Sequence, residues 1–115
     1  KPLIPKIAGV DTVRGLERLG GNLELYMRLL RMFRVDYAHA VKDIRSAVQK
    51  NDMELARRLV HTLKGVAAQI GAQALSESAR LLEMGIARGE IVYLQDRLDT
   101  LENDLSTLLK ILSQV

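Results

Sequence analysis

The chain has 115 residues, 48% of them apolar, with 17 Lys and Arg against 14 Asp and Glu and no Cys. This length predicts one domain around a single core, and the lack of Cys excludes disulfide scaffolds, thiolate zinc sites and cysteine nucleophiles. The formal charge of +3 is only a mild basic bias, and no long Lys/Arg run or series of aromatic residues supports nucleic-acid binding. No apolar run approaches the roughly 18 residues of a membrane-spanning helix, and no signal peptide opens the chain, which predicts a soluble protein.

The N-terminus carries both prolines of the chain, in Lys-Pro-Leu-Ile-Pro-Lys. We interpret residues 1–9 as a linker, and expect the chain to be a segment of a longer protein joined at that linker. The folded domain is then predicted to occupy residues 10–115. Its first element is a short helix from about Val10 to Arg18, which should pack on the rest through Val13 and Leu16.

Four long amphipathic helices are predicted after this short one, because apolar residues recur every three or four positions. The first begins at the N-cap residue Asn22 and runs to about Lys50. The second follows the capping sequence Asn51-Asp-Met-Glu54 and ends at Gly71, the third ends at Gly89, and the fourth runs to the end of the chain. The apolar residues of the four stripes are Leu23, Met27, Leu30, Phe33, Tyr37, Val41, Ile44 and Val48; Leu55, Leu59, Leu63, Val66 and Ile70; Leu75, Ala79, Leu82 and Ile86; and Ile91, Leu94, Leu98, Leu101, Leu105, Leu108 and Leu112.

The predicted fold class is all-α, an antiparallel up-down four-helix bundle with a short extra N-terminal helix. The alternative is a coiled-coil dimer formed by the long first helix and the Leu-rich fourth. In such a dimer the two middle helices would have no partner for their apolar stripes. A bundle formed within one chain is therefore favoured, and we expect a monomer.

The second helix is predicted to place a histidine in solvent. At about 100° per residue, Arg57, His61, Lys64 and Ala68 point away from the apolar stripe, and Gly65 lies beside them. An exposed imidazole is partly uncharged at neutral pH and can act as a nucleophile. The side chains one turn away, Lys64 and Arg57, can approach an anion held by the ring.

Small residues leave the surface around His61 open. Gly65 and Ala68 add no bulk, and a glycine within a helix costs about 1 kcal/mol relative to alanine, so its presence favours close approach of a partner backbone. The chain contains a comparison in His39, which also has a lysine three residues later and also lies opposite its apolar stripe. However, Asp43 follows it at the fourth position and no glycine opens the surface, so we interpret His39 as an ordinary exposed residue.

The segment His61-Thr-Leu-Lys64-Gly65-Val-Ala-Ala-Gln-Ile-Gly71-Ala72 resembles the phosphorylation motif of histidine-containing phosphotransfer domains. Upstream, Leu16-Glu-Arg-Leu-Gly-Gly-Asn-Leu-Glu-Leu-Tyr-Met-Arg-Leu-Leu30 resembles the entry into the first bundle helix of that family. The likeness is strongest to domains at the C-terminal end of hybrid sensor histidine kinases. It covers nearly the whole chain, and the family fold agrees with the predicted bundle.

The resemblance implies a phosphorelay intermediate. His61 would accept a phosphoryl group from an aspartyl phosphate of a receiver domain and pass it to an aspartate of a response regulator. Lys64 would offset the charge of the phosphoryl oxygens, and Gly65 would give room to the receiver loops. Glu83 stands at the family position that hydrogen-bonds the ring nitrogen left unphosphorylated, and a hairpin turning at Gly71 brings it level with His61. Pairing with Arg80 on the same helix is the alternative role of Glu83.

Nucleotide and metal are assigned to other proteins or domains. The sequence has no Walker loop, no glycine-rich nucleotide motif and no cluster of carboxylates for Mg²⁺, so we expect a phosphocarrier without cofactor, metal or nucleotide site of its own. Receiver domains would supply Mg²⁺, and their acidic pockets would be complemented by Arg57, Arg58, Lys64 and Arg80. The expected location is cytoplasmic, without direct membrane contact, either as a separate protein or as the cytoplasmic part of a membrane-bound sensor kinase.

Three other functions are alternatives for this sequence. A non-catalytic helical adaptor would bind receiver-like partners through the same patch. A nucleic-acid-binding bundle is suggested only by the basic pI of about 9.5. An enzyme is the least favoured, because neither histidine has a Ser, Cys or metal-ligand partner at a suitable spacing. We interpret the methionines as packing residues of the core or the helix surfaces and not as ligands: Met27, Met32, Met53 and Met84.

Overall fold

The computed structural model describes residues 6–115, and its helices are α1 (Thr12–Glu17), α2 (Leu23–Asp36), α3 (Ala40–Gln49), α4 (Met53–Ile70), α5 (Gln73–Ala87) and α6 (Leu94–Leu112). A 3-10 turn, Ile91–Tyr93, joins α5 to α6. The helices α2 and α3 together, then α4, α5 and α6, form the four members of an elongated antiparallel bundle, 50 × 22 × 19 Å. The predicted all-α fold class is confirmed. Within residues 6–115, no helix has the length and apolar character that crossing a membrane requires.

Local sequence signals determine where most helices begin and end. The Asn22 side chain accepts a hydrogen bond from the backbone N–H of Leu25 at 3.0 Å, as expected for an N-cap. In α4 the N-cap is Asp52 rather than Asn51, and its carboxylate accepts a hydrogen bond from the backbone N–H of Leu55 at 3.1 Å. Gly71 ends α4 with φ +86°, a left-handed conformation that glycine adopts without strain.

The prediction of one continuous helix from Asn22 to Lys50 was wrong. A turn at residues 37–39 separates α2 from α3, and Tyr37 has φ −113° and ψ 12°. The segment from Val35 to His39 contains Val, Asp, Tyr and His, all of which are weaker helix formers than the Leu, Arg and Met residues before it. Local propensity therefore permits a break, and the apolar periodicity alone did not reveal it.

The buried side of α4 is broader than its predicted stripe. Leu63 and Ile70 are buried as expected, whereas Leu55, Leu59 and Val66 are only half-buried. The remaining buried residues of α4 are small or β-branched, and they are Ala56, Val60 and Ala67. The cause is that α4 packs against α3 on one side and α5 on the other, so its apolar arc exceeds a single stripe. The middle helices thus find their partners within one chain.

Three further expectations differ from the structure. Val13 does not pack on the bundle, since it is 56% exposed, while Leu16 does pack against the core. Ile91 lies in the 3-10 turn and is 70% exposed, so it does not contribute to the α6 stripe. Ile7, placed in the linker by the sequence, is buried in the core. Residues 1–5 of that expected linker lie outside the described residues.

Candidate functional site

The outward face of α4 exposes His61. Its side chain is 63% exposed, whereas Val60 and Leu63 on either side of it in sequence are fully buried. This difference follows from the helical period, because residues facing α3 and α5 fix the rotation of α4. The ring therefore stands on a rigid helix but remains accessible to a second protein.

A single carboxylate on α5 binds both His61 and Lys64. Glu83 Oε2 lies 2.8 Å from His61 Nδ1, and Glu83 Oε1 lies 2.6 Å from Lys64 Nζ. A carboxylate can only accept, so Nδ1 carries the proton of this hydrogen bond. In the neutral ring Nε2 is then unprotonated and offers its lone pair as a nucleophile.

The charge of Glu83 is maintained by its partners. The side chain is only 16% exposed, and burial by itself would raise its pKa. Hydrogen bonds from Lys64 and from His61, together with their positive charge, outweigh burial and hold the pKa of Glu83 below its ordinary value of 4.5. Glu83 is therefore ionised at neutral pH and can stabilise a positive charge on the ring.

Arg80 does not pair with Glu83. Instead, its guanidinium donates two hydrogen bonds, of 2.8 and 2.6 Å, to the carboxylate of Glu77 one turn earlier on α5. The alternative role considered for Glu83 is therefore absent from the structure. Arg80 itself lies on the exposed side of α5, with its charge already balanced by Glu77.

The remaining predicted residues form an open surface along α4. Arg57, Arg58, Gly65 and Ala68 are all exposed. A Cβ placed on Gly65 would meet nothing within 4 Å, so the packing of the described chain does not require glycine there. We call this face, defined by Arg57, Arg58, His61, Gly65 and Ala68, the His61 face.

His39 occupies a different setting. It lies at the N-cap position of α3, is exposed, and makes no capping hydrogen bond through its side chain. Within residues 6–115, no carboxylate pairs with His39 as Glu83 pairs with His61. The two histidines share a lysine three residues later, but the structure gives only His61 a carboxylate on its ring.

Two contacts at the site were missed by reasoning from the sequence. The pairing of Lys64 with Glu83 was not anticipated, although both residues had been singled out. The Arg18 guanidinium donates to the backbone carbonyl of Ala68, which brings α1 to the end of the His61 face. No sequence signal marks this contact, because 50 residues separate the two partners.

The acidic and histidine side chains of residues 6–115 form no group of three that could hold a metal ion. At the site, the Glu83 carboxylate bridges the imidazole ring of His61 and the ammonium group of Lys64. Such an arrangement can accept a group at Nε2 and compensate the charge that this reaction places on the ring.

Comparison with known proteins identifies the family. A family model described as the Hpt domain matches residues 28–111 of the chain. The structure is similar to the crystal structure of histidine-containing phosphotransfer protein B (HptB) from Pseudomonas aeruginosa PAO1, with a TM-score of 0.82, 21% sequence identity and 95% of both chains covered. At this identity the likeness concerns the fold. No curated protein sequence matches the chain. The chain belongs to the Hpt domain family, the histidine phosphotransfer domains of two-component signalling.

Proposed function

We propose that His61 is a phosphorelay intermediate, which accepts a phosphoryl group from an aspartyl phosphate of one receiver domain and passes it to an aspartate of a response regulator. The observation that carries this proposal is the contact of Glu83 with Nδ1 at 2.8 Å on an otherwise open face. This contact supports Nε2 as the nucleophile and as the site of phosphorylation. Membership of the Hpt family supports the same chemistry.

The transfer requires no proton to leave the ring. The Nε2 lone pair forms the N–P bond while the bond between phosphorus and the aspartyl oxygen breaks, and the electron pair returns to the aspartate as a carboxylate. The ring becomes a cation that keeps its proton on Nδ1, next to the Glu83 carboxylate. Lys64 approaches the phosphoryl oxygens from one turn along α4 and offsets their charge. Reversal of the same steps passes the group to the acceptor.

The receiver domain would supply the Mg²⁺ and the reacting aspartate, so that this chain acts as a carrier without a nucleotide site of its own. The acidic pocket of the receiver would dock on the His61 face. There Arg57 and Arg58 add positive charge, and Gly65 and Ala68 leave room for the receiver backbone. Arg80 would contribute to docking at the edge of this surface, because a carboxylate of the receiver could share its ion pair with Glu77. We further propose that the carrier is a cytoplasmic monomer.

The decisive experiment locates the phosphoryl group. The chain is incubated with Mg²⁺ and receiver domains labelled from acetyl phosphate, and the product is tested for acid-labile, base-stable label and mapped by peptide analysis. His61→Gln should abolish labelling. His39→Gln is the matched control, since it removes the other exposed histidine, and it should be labelled like the wild type.

Two results would contradict the proposal. Label that persists in His61→Gln would place the chemistry elsewhere. A folded wild-type chain that binds receivers but takes no label from any of them would make it an adaptor instead.

A further inference from the structure

We propose that α1 extends the surface that docks receiver domains, and that Arg14 and Arg18 form a second anchor for acidic side chains of the receiver that lie away from its phosphorylated aspartate. This inference rests on the proposed function, and it adds a contact that lies outside the phosphorylation motif. It concerns a cleft of about 170 Å³ between α1, the end of α4 and the start of α5. Arg14, Arg18, Ala68 and Glu77 are among its lining residues.

The position of α1 is well determined by its contacts with the end of α4. The backbone N–H of Asp11, the N-cap of α1, donates to the carbonyl of Gly71 at 2.7 Å. Arg18, the C-cap of α1, donates to the carbonyl of Ala68. Hydrogen bonds from both ends of α1 therefore hold it at the C-terminal end of the His61 face.

This cleft lies within the area that a docked protein covers. Ala68 follows His61 by seven residues, which corresponds to about 10 Å along a helix axis. A standard interface buries about 800 Å² per partner, equivalent to a disc of about 16 Å radius. A receiver domain centred on His61 thus extends to Arg18 and the cleft.

The charges on this surface favour an acidic occupant. Lys64 and Arg80 are already paired with Glu83 and Glu77. Among residues 6–115, no carboxylate lies within ion-pair distance of Arg14 or Arg18, and both are exposed. The Asp11 carboxylate also lines the cleft, but it accepts the backbone N–H of Arg14 and pairs with neither guanidinium. Two guanidinium groups without an ion pair in the described chain therefore stand at the α1 end of the His61 face, where they can meet carboxylates of the receiver.

The helix α1 also precedes the matched part of the family model, which begins at residue 28. A contact made by α1 is therefore additional to the segment by which the family is recognised. Such a contact is suited to distinguishing one receiver domain from another, while His61 and Lys64 serve all of them.

The test compares two double variants of equal charge. Arg14→Ala with Arg18→Ala removes the proposed anchor. The matched control is Arg31→Ala with Lys42→Ala, which removes one exposed cation each from α2 and α3 and none from α1. The rate of transfer from phosphorylated receiver domains to His61 is measured at subsaturating concentration, from about 50 to about 500 mM salt.

We expect the anchor variant to react roughly five-fold more slowly at low salt with at least one receiver, and the difference to shrink at high salt. The control should change less than two-fold under the same conditions, by about the amount that net charge alone produces. Thermal unfolding is recorded for each variant. Because Arg18 also hydrogen-bonds the end of α4, Arg14→Ala and Arg14→Glu are included as variants that keep that contact.

Equal rates for the anchor variant and its control would overturn the inference while leaving the carrier function intact. The inference is also overturned if slow transfer occurs only in variants with a lowered melting temperature and Arg14→Glu transfers at the wild-type rate. A wild-type chain that accepts no phosphoryl group from any receiver would instead refute the proposed function, and this inference with it.

Discussion

Replacing Glu83 by Gln tests the central interaction of the site with the smallest change of shape. The carboxylate serves two donors at once, His61 Nδ1 at 2.8 Å and Lys64 Nζ at 2.6 Å. A glutamine amide has one acceptor oxygen, so it can bind only one of them and turns its NH₂ group toward the other. The variant also carries no negative charge to balance the ring cation that forms on phosphorylation.

The expected magnitude follows from the charges and their exposure. Unit charges about 4 Å apart attract by about 4 kcal/mol at an effective dielectric constant of 20 and by about 1 kcal/mol in bulk water. The His61 side chain is 63% exposed, which places the interaction toward the lower end, at about 1–2 kcal/mol. We therefore expect Glu83→Gln to slow phosphoryl transfer to His61 by about five- to thirty-fold.

The assay is rapid-quench measurement of transfer from a phosphorylated receiver domain, at several concentrations so that docking and chemistry are separated. Glu77→Gln is the matched control, because it removes the same charge from the same helix but its partner is Arg80. The reasoning is refuted if Glu83→Gln transfers at the wild-type rate, or if Glu77→Gln is slowed equally while both variants remain folded.

Three other predictions concern the same site. Lys64→Ala should slow transfer by about ten-fold with the bundle intact, whereas Lys42→Ala, which follows His39 by the same spacing, should have no effect in the same rapid-quench assay. Gly65→Leu should raise the melting temperature, because a Cβ at this position meets open space and glycine costs about 1 kcal/mol in a helix. The same variant should block receiver binding measured by calorimetry, and Gly65→Ala should have an intermediate affinity. Folding lowers the pKa of Glu83 below its ordinary value of 4.5, so its ionised carboxylate stabilises the fold above pH 4.5. This stabilisation is lost as the pH falls through the folded-state pKa. The difference in unfolding free energy between wild type and Glu83→Gln, measured by urea titration, should therefore shrink below about pH 4.5.

Much of the fold could be predicted because the signals are local. Asn22 caps its helix through a hydrogen bond within three residues, and Gly71 ends α4 because its left-handed backbone suits glycine. The exposure of His61 followed from the phase of one helix. The turn at Gly71 predicted that Glu83 lies at the same height along the bundle as His61, and the structure places the two side chains in contact.

The features that escaped prediction depend on contacts between distant segments. The arc of small buried residues on α4, such as Ala56 and Ala67, is set by two neighbouring helices and not by one stripe. The helix breaks at residues 37–39 although the apolar spacing continues through them, and helix propensity alone predicts such a break only weakly. The approach of Arg18 to Ala68 joins positions 50 residues apart and has no local signature.

The reach of Glu83 to His61 depends on how closely α4 and α5 pack. Ala67 lies one turn from Lys64 on α4, Ala79 lies one turn from Glu83 on α5, and both are fully buried. Packed helices stand about 8–10 Å apart according to the side chains between them, so alanines favour the shorter separation. A larger residue at either position would move the carboxylate away from both of its partners. We therefore expect the small residues of the core to support the proposed chemistry of His61, because they favour a helix separation at which Glu83 contacts both the ring and Lys64.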